Sequence, residues 1–392
     1  MKSLAGIVVL SAMVLACGCV KHGKFTPSAE SGTGWEFHHG GVESTGADSA
    51  SEFSGKLKMI WRRKQNDKAI GPLTLSGGGL FYPSSRKKIK VFDPATGETL
   101  AQIKSRGPAQ SGAVRVDTLL YFGVGPLRNR LVSYNLRRGK EVRETVVKDV
   151  SGGSIIVQNR LIIGSAENRL ASYDLSNGRE VWSIELSGRA VAPPSFDGTS
   201  IFQPTDDGKL YATRPDDGST KFRVEIGSPI LGSVACGELV WVAGFDGKVS
   251  AVDPSDGRIV WKCDVGGPIW SAPAVADGIV FVANSAGSIA ALDAKTGAPL
   301  WRYEAVAVIR SAPLIVGNVL LAATMTGKLL SLSAETGALL DTLDLEGPVR
   351  YAPISSGDRV YIATENGRIT CVGDDHASNA TSGNASTVEH RP

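Results

Sequence analysis

The chain consists of short apolar runs separated by polar turns that carry glycine. Residues 271–303 show the arrangement, with apolar stretches at 271–276, 279–283, 288–292 and 299–303. Runs this short, bounded by turn residues, predict β-strands and not helices. Four such strands in succession, joined by tight turns, predict an antiparallel meander.

The same unit recurs with a period near forty residues. Residues 174–182, 253–261 and 293–301 each begin with aspartate, have glycine four positions later and end with tryptophan. Weaker copies extend the glycine series, whose spacings are 42, 39, 40, 39, 40 and 40 residues, to Gly97, Gly139, Gly178, Gly218, Gly257, Gly297 and Gly337. A four-stranded unit of this length is typical of a β-propeller blade, whereas β-sandwiches do not repeat in sequence.

The position of the tryptophan gives the number of blades. Eight equivalent positions occur, namely Trp61, Ala101, Arg143, Trp182, Phe222, Trp261, Trp301 and Asp341. Residues 56–61 form an isolated fourth strand, and the last copy, at 351–372, ends after three strands. The sequence therefore predicts an all-β, eight-bladed propeller over residues 56–372, its ring closed by the N-terminal strand. We interpret the recurring tryptophan as a ring wedged between neighbouring blades.

The first 19 residues have the features of an export signal. Lys2 precedes an apolar run at 4–15 that is too short to cross a bilayer. The small residues that follow resemble a bacterial lipoprotein cleavage site, with Cys17 or Cys19 as the lipidated residue, and a plain secretory signal is the alternative. Residues 20–55 are predicted to be a flexible tether and residues 373–392 a disordered polar tail.

Composition and residue placement argue against several classes of protein. The net charge of +3 does not favour a nucleic-acid binder. All five histidines lie outside the repeats, which removes the commonest general base, and His38 and His39 have no third metal ligand nearby. We therefore predict no enzyme activity and no metal or cofactor. Cys236 and Cys263 share one repeat, where we favour two separate thiols over the alternative of a disulfide.

The motif Asp-x-x-Thr-Gly-x-x-x-Trp resembles the repeat of pyrroloquinoline-quinone-like propellers across essentially the whole body. Together with the lipoprotein signal, it makes the chain resemble the BamB family. The resemblance implies a monomeric, non-enzymatic scaffold, lipid-anchored at the periplasmic side of the outer membrane. It implies binding to the periplasmic domains of the β-barrel assembly protein.

Three other functions remain open at this stage. Residues 35–46 are similar to an N-terminal motif of other quinone-like propellers of less certain role. A quinone-binding dehydrogenase, as found among the enzymes of this type of propeller, is one alternative function. The family's enzymes carry adjacent cysteines and a calcium ligand set, and this chain has no adjacent pair of cysteines. A periplasmic ligand-sensing propeller and a chaperone-like surface for unfolded proteins are the others.

One face of the predicted propeller carries candidate partner-binding residues. The residues just before the inner strands surround one mouth of the central channel and are Gln110, Val191, Leu231, Trp270, Arg310 and Arg350. Tryptophan combined with arginine is typical of binding hot spots, so we select Trp270, Arg310 and Arg350, with Arg189 beside them. The alternative is that these are single exposed side chains with no binding role.

The loops after the second strands add cations on the same face: Arg86, Lys87, Lys88, Arg128, Arg130, Arg169, Lys209, Lys248, Lys328 and Arg368. Residues 56–190 carry 24 Lys and Arg against 11 Asp and Glu, a net charge of +13, and residues 191–372 carry 14 against 20, a net charge of −6. We predict a dipolar disc that orients an acidic partner or anionic lipid, with Arg86, Lys87, Lys88 and Arg130 as candidate contacts. The alternative is that the repeat itself favours a basic residue where the third strand begins.

Overall fold

The computed structural model describes residues 21–22, 24–27, 40–41, 43–49, 51–109, 113–125 and 129–375. Within these residues the regular elements are 34 β-strands. The same residues contain no helix with the length and apolar character needed to cross a bilayer. The predicted signal with Cys17 and Cys19, the pair His38 and His39, and residues 376–392 of the predicted tail lie outside the described residues.

Eight sheets form the blades of a propeller, each an antiparallel meander whose strands follow one another from the centre outwards. Blades are numbered 1 to 8 by their first strands. The first, innermost strands are Thr74–Ser76, Val114–Val116, Ser154–Val157, Ser195–Phe196, Ala235–Cys236, Ala274–Ala276, Leu314–Val316 and Ile354–Ser356. The second strands are Gly79–Ser84, Leu119–Val124, Arg160–Ser165, Ile201–Pro204, Val240–Ala243, Ile279–Ala283, Val319–Ala323 and Arg359–Ala363.

The outer half of each blade consists of its third and fourth strands. The third strands are Lys88–Phe92, Arg130–Asn135, Arg169–Asp174, Lys209–Thr213, Lys248–Val252, Ser288–Asp293, Lys328–Ser333 and Arg368–Asp374. The fourth strands are Thr99–Lys104, Lys140–Val146, Glu180–Glu185, Thr220–Glu225, Ile259–Asp264, Pro299–Glu304, Leu339–Asp344 and, in blade 8, Leu57–Lys64. Two further short strands pair in parallel with the edges of blades. Lys21–His22 pairs with the fourth strand of blade 1, and Ala47–Asp48 pairs with the first strand of blade 7.

The ring closes as the sequence predicted. Leu57–Lys64 pairs antiparallel with Arg368–Asp374, in a register that places Leu57 opposite Asp374 and Lys64 opposite Arg368. The C-terminal strand therefore continues two residues beyond the boundary predicted at 372. Because every blade then has four strands, neither end of the chain leaves blade 8 incomplete.

The geometry of the repeated turn between the third and fourth strands explains why aspartate and glycine recur in it. In blade 6, Asp293 Oδ1 accepts hydrogen bonds from the backbone N–H groups of Lys295 and Thr296, at 3.1 and 2.8 Å. The N–H of Gly297 donates to the Asp293 carbonyl at 2.8 Å, and its φ is +72°, which favours glycine. The first five residues of the motif thus form a tight turn that is fixed by the aspartate at its start and the glycine at its end.

The recurring tryptophans connect neighbouring blades, which confirms their predicted role. Trp61, Trp182, Trp261 and Trp301 each pack against the turn glycine of the next blade. Each indole Nε1 also donates to a backbone carbonyl in that turn; for Trp301 the acceptor is Ala334, at 2.8 Å. The apolar cores lie between adjacent sheets, as between blades 1 and 2, so each tryptophan extends a core to the outer rim.

Residues 43–49 and 51–55, predicted as part of a flexible tether, are packed against the propeller, so that prediction is wrong for these residues. The backbone N–H groups of Cys236, Val275 and Ile315 donate to the carbonyls of residues 43, 45 and 46, at 2.8 to 2.9 Å. Asp48 reaches Ser355 on blade 8. The segment 43–48, here called the strap, therefore crosses the innermost strands of blades 5 to 8. Those strands are free sheet edges, and the strap supplies their missing acceptors.

Candidate functional site

The central channel opens as a funnel on the face where the innermost strands begin. The cavity has a volume of about 430 Å³ and is lined by residues that precede or open those strands, among them Val191, Leu231, Trp270, Arg310 and Arg350. The strap pairs with the other ends of the innermost strands, on the opposite face. The funnel therefore has its mouth on one face and the strap on the other.

Trp270 is the centre of an aromatic and cationic cluster at the mouth. The residue is 37% exposed, and its ring meets Phe245 edge to face, with the ring centroids 5.0 Å apart and the planes at 89°. The Arg310 guanidinium carbon lies 4.8 Å from the centroid of the Trp270 ring. Within the described part of the chain Arg310 has no ion pair. Both contacts favour a fixed tryptophan that still presents apolar surface to solvent.

The cluster joins three blades. Phe245 lies in the loop after the second strand of blade 5, where its N–H donates to the Pro229 carbonyl at 2.9 Å. Trp270 precedes the first strand of blade 6, and Arg310 precedes that of blade 7. The sequence predicted Trp270 and Arg310 but missed Phe245. The available signal was a large aromatic residue in a turn where other blades carry Asp206, Ser285, Met325 or Glu365.

The other arginines predicted for this face have nearer partners. Arg350 lines the funnel, with Nη1 4.0 Å from Glu365 Oε1. Arg189 is held by Asp206: its Nε donates to Oδ2 at 2.6 Å and its backbone N–H to Oδ1 at 2.7 Å. Arg189 is not among the residues that line the funnel. The structure therefore brings Trp270, Arg310 and Arg350 together and leaves Arg189 outside their group.

The funnel wall consists of small residues with two unsatisfied hydroxyls. Ala272, Ala312 and Ala352 form a small apolar cluster contributed by three blades. Ser233 and Ser271 also line the cavity, and neither Oγ has a hydrogen-bond partner within the described residues although both are buried. Buried hydroxyls generally need a partner, so these two can bond to water or to a guest in the funnel.

Cations at the start of the third strands mostly form local ion pairs. Arg130 Nη1 lies 2.5 Å from Glu144 Oε2, and Lys88 Nζ donates to Gln102 at 3.2 Å. Comparable pairs join Arg169 to Glu180, Lys209 to Asp207, Lys248 to Asp246 and Arg368 to Glu346. Arg86 and Lys87 are exposed and have no ion pair in the described parts of the chain. Binding by Arg86, Lys87, Lys88 and Arg130 stays a prediction, as does binding by Arg128 and Gln110, which lie outside the described residues.

The cysteines of the body are separate thiols, as favoured from the sequence. Cys236 and Cys371 are buried, Cys263 is partly exposed, and all three are free. Burial raises the pKa of the Cys371 thiol to about 12 and raises that of Cys236 well above its usual value. These thiols are therefore protonated at neutral pH and poor nucleophiles.

The funnel lining does not fit a calcium-bound quinone. Among the described residues that line it there is no carboxylate, histidine or cysteine. The described residues also contain no group of three metal-ligating side chains. Calcium requires several oxygen ligands, usually including carboxylates, and this lining supplies only hydroxyls and backbone carbonyls.

Comparisons with known proteins agree on the architecture. The sequence model of a family described as outer membrane protein assembly factor BamB matches residues 50–220 and 223–386. No curated protein sequence matches the chain. The structure resembles BamB from Moraxella catarrhalis, with a TM-score of 0.71 and 15% identity over 81% of this chain and 99% of that one.

Enzymes with the same fold are equally similar in shape. A europium-containing methanol dehydrogenase has a TM-score of 0.75 and 12% identity over 87% of this chain and 98% of that one. The quinohemoprotein alcohol dehydrogenase of Comamonas testosteroni has a TM-score of 0.73 and 14% identity over 87% and 80%. At these identities the structural likenesses show the propeller fold alone.

Proposed function

The chain belongs to the BamB family of outer membrane protein assembly factors, and from this we propose that it is a non-enzymatic adaptor lipoprotein. Its lipid would be attached to Cys17 or Cys19 and would hold the propeller at the periplasmic side of the outer membrane. Its partner would be the β-barrel assembly protein, bound through that protein's periplasmic domains. The propeller acts here as a monomer.

The Trp270 cluster is the observation that carries the proposal. An exposed indole, fixed by Phe245 and covered on one face by Arg310, is the combination of residues that dominates protein interfaces. Its position at the mouth of a cavity provides a concave surface for a protruding side chain of the partner. Because the contacts that fix Trp270 already exist in the free protein, little conformational entropy is lost on binding.

The uneven charge of the disc supports the same conclusion. Blades 1 to 3 carry the excess of cations, and Arg86 and Lys87 present theirs on the funnel face without ion pairs among the described residues. A partner with an acidic surface would therefore be oriented before contact, and its association rate would fall as salt increases.

The test is crosslinked purification of the membrane-anchored protein from its own organism, analysed by mass spectrometry. We expect the β-barrel assembly protein with the wild type and much less with the Trp270→Ala, Arg310→Glu double variant. The matched control is Lys295→Glu, an equal charge reversal on the opposite face. Recovery of no barrel-assembly component with the wild type would overturn the proposal, as would equal recovery with the double variant.

A quinone-dependent dehydrogenase is the second candidate, because enzymes of that class share the fold. The lining of the funnel lacks the carboxylates that calcium needs. We therefore expect pyrroloquinoline quinone with Ca²⁺ to leave the thermal unfolding midpoint unchanged, since only a ligand of the folded state raises it. An increase that depends on both components would favour the enzyme.

A further inference from the structure

The N-terminal segment fixes the place where the chain leaves the propeller. Phe25 is buried between blades 1 and 2, its ring edge-on to Phe81 with centroids 6.1 Å apart. The Phe25 N–H donates to the Leu136 carbonyl at 2.9 Å. Further back along the chain, Lys21–His22 pairs with residues 101–102 on the fourth strand of blade 1. The chain is thus attached to the outer edge of blade 1 before it reaches the strap.

This attachment leaves little free chain between the propeller and the predicted lipid. Cys19 precedes Lys21 by two residues and Cys17 precedes it by four. Two extended residues span at most about 7 Å and four about 14 Å. A lipid on either cysteine would therefore hold the edge of blade 1 close to the bilayer, whereas a flexible tether of residues 20–55 would leave the disc free to turn.

Cations surround this point of attachment. Lys24, Arg137, Arg138 and Lys140 are exposed, and none has an ion pair within the residues that the structure describes. Arg137 directly follows Leu136, the acceptor of the Phe25 hydrogen bond. All four lie on or next to the turn between the third and fourth strands of blade 2. We call them the basic edge.

Among the turns between the third and fourth strands of blades 1 to 7, the turn of blade 2 alone carries more than one cation; those of blades 3 to 6 carry one each, such as Arg258 and Lys295. The corresponding turns carry Asp216 and Asp217 in blade 4, Asp256 in blade 5 and Glu335 in blade 7. Three carboxylates lie near the basic edge: Asp117 is exposed next to Thr118, whose carbonyl accepts from the Leu136 N–H, Glu98 is exposed on the turn of blade 1, and Glu141 lies 3.9 Å from Arg106. Four cations against these three carboxylates still leave a positive surface beside the predicted lipid.

We propose that the basic edge docks on an anionic phospholipid surface and sets the orientation of the disc. Clustered cations next to a lipid anchor bind anionic headgroups, so the anchor would supply the membrane affinity and the cations would set the orientation. The turn of blade 2 lies on the face opposite the funnel, so the funnel mouth points away from the bilayer. This inference rests on the lipid anchor of the proposed function and is independent of the protein partner.

The experiment is vesicle flotation with a chain that begins at residue 20 and keeps every described residue. The vesicles contain phosphatidylcholine with about one-third phosphatidylglycerol, or phosphatidylcholine alone. We expect binding to the anionic vesicles at low salt, release as salt rises, and little binding to neutral vesicles. Arg137→Glu with Arg138→Glu should reduce the partition coefficient about tenfold or more.

The matched control is Arg258→Glu with Lys295→Glu, which reverses two charges in the same turns of blades 5 and 6. It should bind almost as the wild type does, and thermal unfolding of both double variants should match the wild type. Equal losses in both pairs would show an effect of net charge alone and overturn the proposal. Normal flotation of the Arg137, Arg138 variant would also overturn the proposal. If the same variant then lost a protein in the crosslinked purification described above, the basic edge would be reassigned to a protein partner. No protein partner and no acyl chain enters this assay, so its failure and that of the adaptor proposal are distinguishable.

Discussion

Trp261 of blade 5 rests directly on Gly297 of blade 6, so closely that a Cβ on Gly297 would lie 2.5 Å from Cε3 of the indole. The same ring donates through Nε1 to the Ala294 carbonyl at 3.1 Å. The contact needs a large flat ring on one blade and a residue without a side chain on the next. It recurs around the ring, as in Trp182 against Gly218 and Trp301 against Gly337.

Replacing Trp261 by alanine should lower the free energy of unfolding by about 3–5 kcal/mol, because a buried ring and its hydrogen bond are lost from an interface between blades. Trp270→Ala removes the same side chain from a partly exposed site and should cost about 1 kcal/mol or less. Chemical denaturation of the two variants measures both values. Similar losses would contradict the distinction between a structural and a presented tryptophan.

Substituting Gly297 separates backbone strain from the clash with Trp261. Gly278 also has a positive φ, +75°, but a Cβ there would meet nothing within 4 Å. Gly278→Ala should therefore cost about 1–2 kcal/mol from conformation alone. Gly297→Ala should cost about 2 kcal/mol more, because the indole must shift. Thermal unfolding of both variants provides the comparison, and equal midpoints would rule out the close packing.

Asp207 makes stability depend on acid pH. Burial would raise its pKa, but hydrogen bonds from Lys209, Ser187 and Thr205 outweigh burial and lower that pKa to about 2. A lowered pKa contributes stability that is present above pH 4 and is lost as the pH falls towards 2. Asp207→Asn should cost about 1 kcal/mol at neutral pH, since partial exposure screens the charge.

The cost of Asp207→Asn should shrink between about pH 4 and pH 2, as the wild-type carboxylate becomes protonated. Urea unfolding of both proteins across this interval measures the effect. Glu335→Gln is the control, because Glu335 is exposed and forms no ion pair in the described parts of the chain. A cost for Asp207→Asn that does not change with pH would contradict the assignment.

The blades and their closure could be predicted because their determinants are local and repeated. Asp293, Gly297 and Trp301 fall within nine residues, and each copy of the motif reports the same turn and the same contact with the next blade. The orphan strand ending at Trp61 was recognisable only because seven other copies defined what it lacked. Because the motif repeats, the pairing of two distant segments in blade 8 could be predicted by counting strands in each copy.

The strap escaped prediction because its bonds are made by its backbone. Residues 43–48 are polar and small, as in a flexible linker, and their carbonyls are held by amides of blades 5 to 7. The side chains of these residues do not indicate that the backbone forms such bonds. Phe25 and Phe53, which are buried on either side of the strap, were the available signals.

The cations of the third strands were predicted on the correct face, but their immediate surroundings could not be read from the sequence. Arg130 lies on the strand beside the one that carries Glu144, and Arg169 stands in the same relation to Glu180. Only the pairing of the strands brings these charges together. Arg86 and Lys87, which lie in a loop without such a neighbour, keep their exposed charge.

The closure of blade 8 by both ends of the propeller has a consequence for the order in which the blades can fold. Ser54 hydrogen-bonds to Asp374, a residue 320 positions later, and within the described residues the strand Leu57–Lys64 has its one sheet partner in Arg368–Asp374. A chain that becomes available from its N-terminus can assemble blades 1 to 7 one after another, yet its first propeller strand stays unpaired until residues 368–374 are also available. We therefore expect the last event of folding to be the joining of the two ends of a nearly finished disc, because this contact has the largest loop to close.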